Sequence, residues 1–487
     1  MTESAALDIV IVGCGFSGIA MATQLRRSGY QSFVILERAG EIGGTWRDNT
    51  YPGAQVDVPS PLYSLSYDAE PQWSRLNAYQ TEIWEHQKRV FSQEGLHPHL
   101  RASTELLHAA WNSTTKRWDL ATTRGPINCR VLIAATGHLS EPKLPPIPGI
   151  ETFAGEVMHS ARWSSECVLD AKRVAVIGTG ASAVQVIPAV VGRVKHLTVL
   201  QRSAAWCLPR NDREFSRAER RMHKRMPETL KALREELFWS GEATVPQRHG
   251  ARGQLERLKA AAVQHLEAQV ADEGLRARLL PDYEIGCKRV LRSDDYYPAM
   301  SRSNVTLDTS PIAEVRTHQV VTADATHDID VLICCTGFEV AQPPIANRIA
   351  GNSGILLSSY WLSGSRAFAS TTVSGYPNFF IMNGPYSGLG AGTSIIDIVE
   401  IQASYIRQAI EFLLRENLAS LEVSIDAEQT YAESVERRTE GTVWLDGGCT
   451  SWYVDPRSGK LTALWPDFVS QFFRENGTFD PSSYVSM

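Results

Sequence analysis

The sequence predicts an α/β fold built from two nucleotide-binding units, and three observations lead there. A G-x-G-x-x-G turn follows an apolar strand near the N-terminus, a G-x-G-x-x-A turn follows a second apolar strand in mid-chain, and each turn opens a helix with an apolar face. The length agrees: 487 residues exceed one hydrophobic core, since single cores stop growing near about 250–300 residues. Hydrophobic content of 43% and charged content of 21% are ordinary for a folded chain and exclude a largely disordered or collagen-like one.

The first unit starts with the apolar segment Leu7 to Val12, continues through Gly13-Cys14-Gly15-Phe16-Ser17-Gly18, and then reads as an amphipathic helix from Ile19 to Ser28, ending at Gly29. The uncharged run from Ile9 to Leu25 is expected to be neither a signal peptide nor a membrane span. Glu3 and Asp8 precede it, three glycines interrupt it, and it is shorter than the ~20 apolar residues a spanning helix needs. A second strand, Phe33 to Leu36, ends in Glu37, where a carboxylate accepts hydrogen bonds from a ribose 2′-hydroxyl. Strand, glycine turn, helix and acidic strand end together predict a Rossmann-like dinucleotide site, with pyrophosphate at the free N–H groups of the helix N-terminus.

The pattern recurs. Lys172 to Ile177 is the strand, Gly178-Thr179-Gly180-Ala181-Ser182-Ala183 the turn, and Val184 to Val191 the helix. Its second strand, His196 to Leu200, ends in Gln201-Arg202. An arginine there binds a 2′-phosphate, which a carboxylate would repel, so this nucleotide is expected to be NADPH. The physical reason to hold two dinucleotides is electron transfer, with FAD receiving hydride from the nicotinamide. Two apolar strands ending in Thr-Gly, at Thr136-Gly137 and Thr336-Gly337, suit a backbone passing tightly against a cofactor.

Between the second turn and its return lies 211–282, rich in Arg, Lys, Glu, Ala and Leu. It reads as two or three charged amphipathic helices separated by Gly241 and by Gly250 to Gly253, inserted in the NADPH unit. A net charge of −6 argues against nucleic acid as the main partner. The eight cysteines form no C-x-x-C pair and are expected to be reduced, mostly buried thiols in a cytoplasmic chain. No metal-ligating cluster and no G-x-S-x-G elbow occurs.

More specific is Gly43-Gly44-Thr45-Trp46 followed by Tyr51-Pro52-Gly53-Ala54-Gln55-Val56-Asp57, together with Phe153-Ala154-Gly155-Glu156-Val157-Met158-His159-Ser160-Ala161-Arg162-Trp163 between the two turns. Flavin disulfide reductases carry a redox cysteine soon after the Gly-Gly pair; here Trp46 follows Thr45, and no cysteine lies between Cys14 and Cys129. The motifs resemble the type I Baeyer–Villiger monooxygenases of the class B flavoprotein monooxygenases, whose fingerprint F-x-G-x-x-x-H-x-x-x-W the chain matches through Trp163, departing at Ser164. Gly286-Cys287-Lys288-Arg289 is similar to the family segment that carries its catalytic arginine. Cys449-Thr450-Ser451-Trp452-Tyr453 is similar to a C-terminal one.

The resemblance implies an FAD- and NADPH-dependent enzyme that inserts one atom of O2 beside a ketone carbonyl through a flavin C4a-peroxide, giving an ester or lactone; oxidation of a nitrogen or sulfur heteroatom is the alternative. It implies Arg289 as the catalytic cation, Asp57 as its partner, Lys288 beside Arg202 at the 2′-phosphate, and Gly44, Thr45, Trp46 and Trp452 against the cofactors. His159 and Trp163 would act at a hinge. A fixed guanidinium suits such chemistry because it stays charged when desolvated and stabilises negative charge developing on oxygen. The expected organisation is an FAD-binding domain split between 1–148 and 338–487, with the NADPH-binding domain 149–337 inserted.

Overall fold

The computed structural model describes residues 7–68, 73–390 and 392–486. Glu3, and Ala391 within the glycine-rich segment 388–392, lie outside the described residues. Two parallel-centred sheets organise the chain. The larger runs in the order Ile349–Ala350, Leu106–Asn112, Arg117–Thr122, Gly125–Ala134, Leu7–Val12, Phe33–Leu36 and Leu100–Arg101, and Phe379–Ile381 also pairs with Gly125–Ala134. Strands from both ends of the sequence therefore share one sheet. The smaller sheet is wholly parallel, in the order Val305–Asp308, His196–Leu200, Arg173–Ile177, Val331–Cys334 and Glu156–His159.

The central parallel strands are buried on both faces, as parallel strands covered by helices must be; Ile9 to Ile11 and Val174 to Val176 are all 1% exposed or less. The first glycine turn leads into helix Phe16–Arg27, which starts three residues before the expected Ile19, and the second into Ala183–Val190. Helix Ile395–Arg415 opens with a capping box between Ser394 and Asp397. Its Ile396, Val399, Ala403 and Ile406 share a core with Ile19 and Met21 of the first nucleotide helix.

Two expectations are corrected. Residues 211–282 form four α-helices, Arg217–Arg225, Pro227–Glu242, Arg252–Gln269 and Glu273–Leu279, with a 3-10 turn Val245–His249. The break falls at Pro227, which lacks the N–H a continuing helix would use. Gly241 lies in the last turn of the second helix, which ends at Glu242, and a Cβ on it would come within 2.7 Å of the Gly392 carbonyl oxygen. The cysteine reading also changes. Six are free, but Cys287 and Cys449 are bonded to each other, a pairing hidden by a separation of 162 residues. No helix among the described residues is long and apolar enough to cross a membrane.

Candidate active site

The two glycine turns are built alike. A Cβ on Gly13 would fall 2.6 Å from the Ala135 carbonyl oxygen, and one on Gly178 2.6 Å from that of Cys335. Each Thr-Gly strand end thus passes over the first glycine of its own turn, and both glycines carry a positive φ, +102° and +106°. A Cβ on Gly18 would lie 2.0 Å from the Gly13 carbonyl oxygen, so helix and strand pack through the third glycine; Ala183 takes this place in the second turn and is fully buried.

The second glycines are different. A Cβ on Gly15 would meet nothing closer than the Gly44 Cα at 3.7 Å, and one on Gly180 would meet nothing within 4 Å. Protein packing does not require glycine there; a ligand pressed against the backbone does. Neither helix N-terminus has a side-chain cap, which leaves N–H donors for phosphate oxygens. Glu37 accepts from the N–H groups of Cys14 at 3.0 Å and Ala39 at 2.9 Å and pairs with Arg47 at 2.9 Å. A carboxylate has about four acceptor positions, so one remains for a ribose hydroxyl. These features fit two dinucleotides.

At the second turn, Arg202 is exposed and Lys288 half-buried. Burial lowers the Lys288 pKa, and the charge of Arg202 lowers it further. Its ammonium donates to Ser203 Oγ at 2.9 Å and stands 4.6 Å from the centre of the Tyr283 ring. Asp282 acts on Lys288 in the opposite sense, but neither cation makes an ion pair among the described residues, and two like charges so placed suit a phosphate dianion.

Asp57 and Arg289, 232 residues apart, form a two-pronged ion pair: Nε donates to Oδ2 at 2.8 Å and Nη2 to Oδ1 at 2.6 Å. Burial raises the Asp57 pKa, but Arg289, with Arg210 and Arg292 nearby, outweighs it and leaves the carboxyl below its usual value. The charge of Asp57 in turn holds the Arg289 guanidinium above its ordinary value, against burial. The third nitrogen, Nη1, makes no hydrogen bond among the described residues. Arg289 lines the cavity with its side chain 38% exposed.

Both partners are positioned by neighbours the sequence reading did not single out. Tyr51 OH and the Gln55 N–H donate to Gln185 Oε1 at 3.0 and 3.3 Å, and Gln185 Nε2 donates back to the Gln55 carbonyl at 2.8 Å. This fastens the segment leading to Asp57 onto the second nucleotide helix. Arg289 precedes strand Leu291–Arg292, which pairs with Cys207–Leu208 where the insertion returns.

One cavity of about 1940 Å³ takes in Gly13, Gly15, Glu37, Gly44, Thr45, Trp46, Asp57, Thr136, Gly137, Gly178, Gly180, Ser182, Arg202, Lys288, Arg289 and Trp452. That exceeds the roughly 300–1,000 Å³ usual for one small ligand. Gly18 lies behind the wall. Gly44 rests on Gly15, its Cβ position 3.2 Å from the Gly15 Cα. Trp46 donates its indole N–H to Tyr63 OH at 3.1 Å. Trp452 stacks on His138 at 6.1 Å, and burial pulls the His138 pKa to about 4. His159 and Trp163 do not line the cavity; they belong to the smaller sheet and its core.

The family described as pyridine nucleotide-disulphide oxidoreductase matches residues 10–238. A Baeyer–Villiger monooxygenase of Streptomyces coelicolor is 42% identical over 98% of this chain and 92% of its own length. The chain belongs to the Baeyer–Villiger monooxygenases. A second member, from Pseudomonas aeruginosa, is 37% identical over 98% of this chain and 90% of its own. Among solved structures, OTEMO in complex with FAD and NADP superposes with a TM-score of 0.86 at 26% identity, covering all of both chains. Cyclohexanone monooxygenase from Rhodococcus sp. Phi1 bound to NADP+ gives 0.89 at 24%, covering 99% of each chain, and shares the fold. As a Baeyer–Villiger monooxygenase the chain has Trp46 after Thr45 and no cysteine between Cys14 and Cys129.

Proposed function

We propose that this Baeyer–Villiger monooxygenase uses FAD and NADPH to insert one oxygen atom of O2 next to a ketone carbonyl, releasing an ester or lactone, with Arg289 as its catalytic cation and Asp57 as that cation's partner. The observation that carries the residue assignment is the Asp57–Arg289 pair, which leaves Nη1 uncommitted at the cavity. We divide the chain into an FAD-binding domain of 1–148 and 338–487 and an NADPH-binding domain of 149–337.

FAD would lie along Gly13, Gly15 and Glu37, with Gly44, Thr45, Trp46, Thr136 and Gly137 around it. NADPH would lie along Gly178, Gly180 and Ser182, with its 2′-phosphate between Arg202 and Lys288 and Trp452 closing over it. When bound, these groups supply hydride transfer and the activation of dioxygen. Arg289 holds positive charge where negative charge develops on oxygen, a contribution of several kcal/mol in a site shielded from water. Asp57 fixes the plane of the guanidinium and keeps it from standing unpaired. We place the chain in the cytoplasm, where NADPH is kept reduced and where six free thiols beside the one disulfide are ordinary.

Arg289→Ala tests the assignment. Ester formation from ketones is expected to vanish while NADPH oxidation continues and any sulfide oxidation survives. Equal loss of ketone and sulfide oxygenation would remove Arg289 from the role given to it.

A further inference from the structure

The insertion brings a second guanidinium to the same cavity. Arg248, on the 3-10 turn Val245–His249, lines it while being only 5% exposed. Its Nε and Nη1 have no hydrogen-bond partner, and it makes no ion pair among the described residues. Room for the group comes from Gly286, where a Cβ would fall 2.5 Å from Nη1. The glycine that opens the Gly286-Cys287-Lys288-Arg289 segment therefore accommodates this arginine.

A guanidinium buried without a counter-ion is costly, and packing gives no return for it. Every carboxylate that lines the cavity already has a cationic partner. Glu37 and Asp48 pair with Arg47, Asp57 with Arg289, Glu105 with Arg348, Glu141 with Arg38 and Glu339 with Lys143. The charged group that acts on Arg248 is Arg289, of like sign, which lowers its pKa, while the Tyr453 hydroxyl raises it. Burial lowers the Arg248 pKa to about 10, so the group remains a cation at neutral pH.

We propose that Arg248 receives a carboxylate on the ketone, which makes keto acids the substrate class of this enzyme. The inference rests on the ketone oxygenation proposed above. Asp57 neutralises Arg289, and Arg248 is the buried charge without a partner that selects an anionic substrate. The phosphates of NADPH are the other source of anionic oxygen, but they have Arg202, Lys288 and the second helix N-terminus.

The test uses the FAD-loaded enzyme with two matched pairs, 3-oxocyclohexanecarboxylate and 6-oxoheptanoate, each against its methyl ester. The wild type is expected to prefer the acids in kcat/KM, and Arg248→Met to cut the acid-to-ester ratio roughly tenfold or more, mainly through KM. Arg248→Lys should keep part of the preference. The acids should raise the melting temperature of the wild type and not that of R248M, and R248M without ligand should melt no lower than the wild type, because it loses an unpaired charge. An equal change for acid and ester, a raised KM for NADPH in its place, or a markedly lower melting temperature of R248M would overturn the proposal. Should neither pair be oxygenated while NADPH is consumed, the ketone reading itself fails, and the thermal shift alone then decides whether Arg248 is an anion site.

Discussion

Gly53 stands so close to Gln185 that a Cβ on it would come within 2.7 Å of the Gln185 carbonyl oxygen, and its φ of +82° suits glycine. Four residues later the same segment delivers Asp57. Gly53→Ala is therefore expected to push this segment off the second nucleotide helix. It should cost about 1–3 kcal/mol of stability and lower ketone oxygenation more than NADPH oxidation. Thermal melting, with product and NADPH followed in parallel, checks both halves.

Asp57→Asn leaves the Arg289 charge without its partner. Since the Arg289 side chain is 38% exposed, the loss is expected near 1–2 kcal/mol, below that of a fully buried pair. The pH dependence has a definite sign. The folded Asp57 carboxyl titrates below its ordinary value, so its contribution is complete above about pH 4 and is lost as the pH falls through the folded value. Melting curves of wild type and D57N should converge in acid; a constant gap down to pH 2 would contradict the ion-pair origin.

Arg202→Ala and Lys288→Ala should each lower kcat/KM for NADPH by roughly tenfold with little effect on NADH. Initial rates with both coenzymes give the ratio directly. Loss of both coenzymes alike would move these side chains away from the 2′-phosphate.

The Cys287–Cys449 bond ties the loop bearing Trp452 to the segment bearing Lys288 and Arg289. Opening it by Cys449→Ser should cost about 2–4 kcal/mol and loosen Trp452 from His138. Thiol labelling under denaturing conditions, with and without prior reduction, should reveal two further reactive cysteines. An unchanged count would show that the bond does not form.

The glycine turns were legible because strand, turn and helix are contiguous, and each glycine records a backbone crossing within its own unit. The Asp57–Arg289 pair was not legible from residues alone. Its members lie 232 positions apart, and only likeness to a known family joined them. Arg248 could not be read at all, since nothing in a sequence separates a guanidinium in solvent from one walled in beside Gly286. Gly241 pointed to the helix end at Glu242, but not to the neighbouring backbone at Gly392 that it also admits. The disulfide escaped for a similar reason: spacing reveals cysteine pairs only when the loop between them is short.

Phe379–Ile381 pairs with Leu132, Ile133 and Ala134 of a strand laid down early in the chain, whereas every strand of the smaller sheet lies between Glu156 and Cys334. During synthesis the ribosome thus releases a complete inner unit while the outer sheet still waits for its last strand. Domains fold as units as they emerge, so the inner one sets before the outer one closes around the start of the polypeptide. Until then Leu132 to Ala134 keep an open apolar edge, and truncation before residue 379 leaves that edge exposed to aggregation.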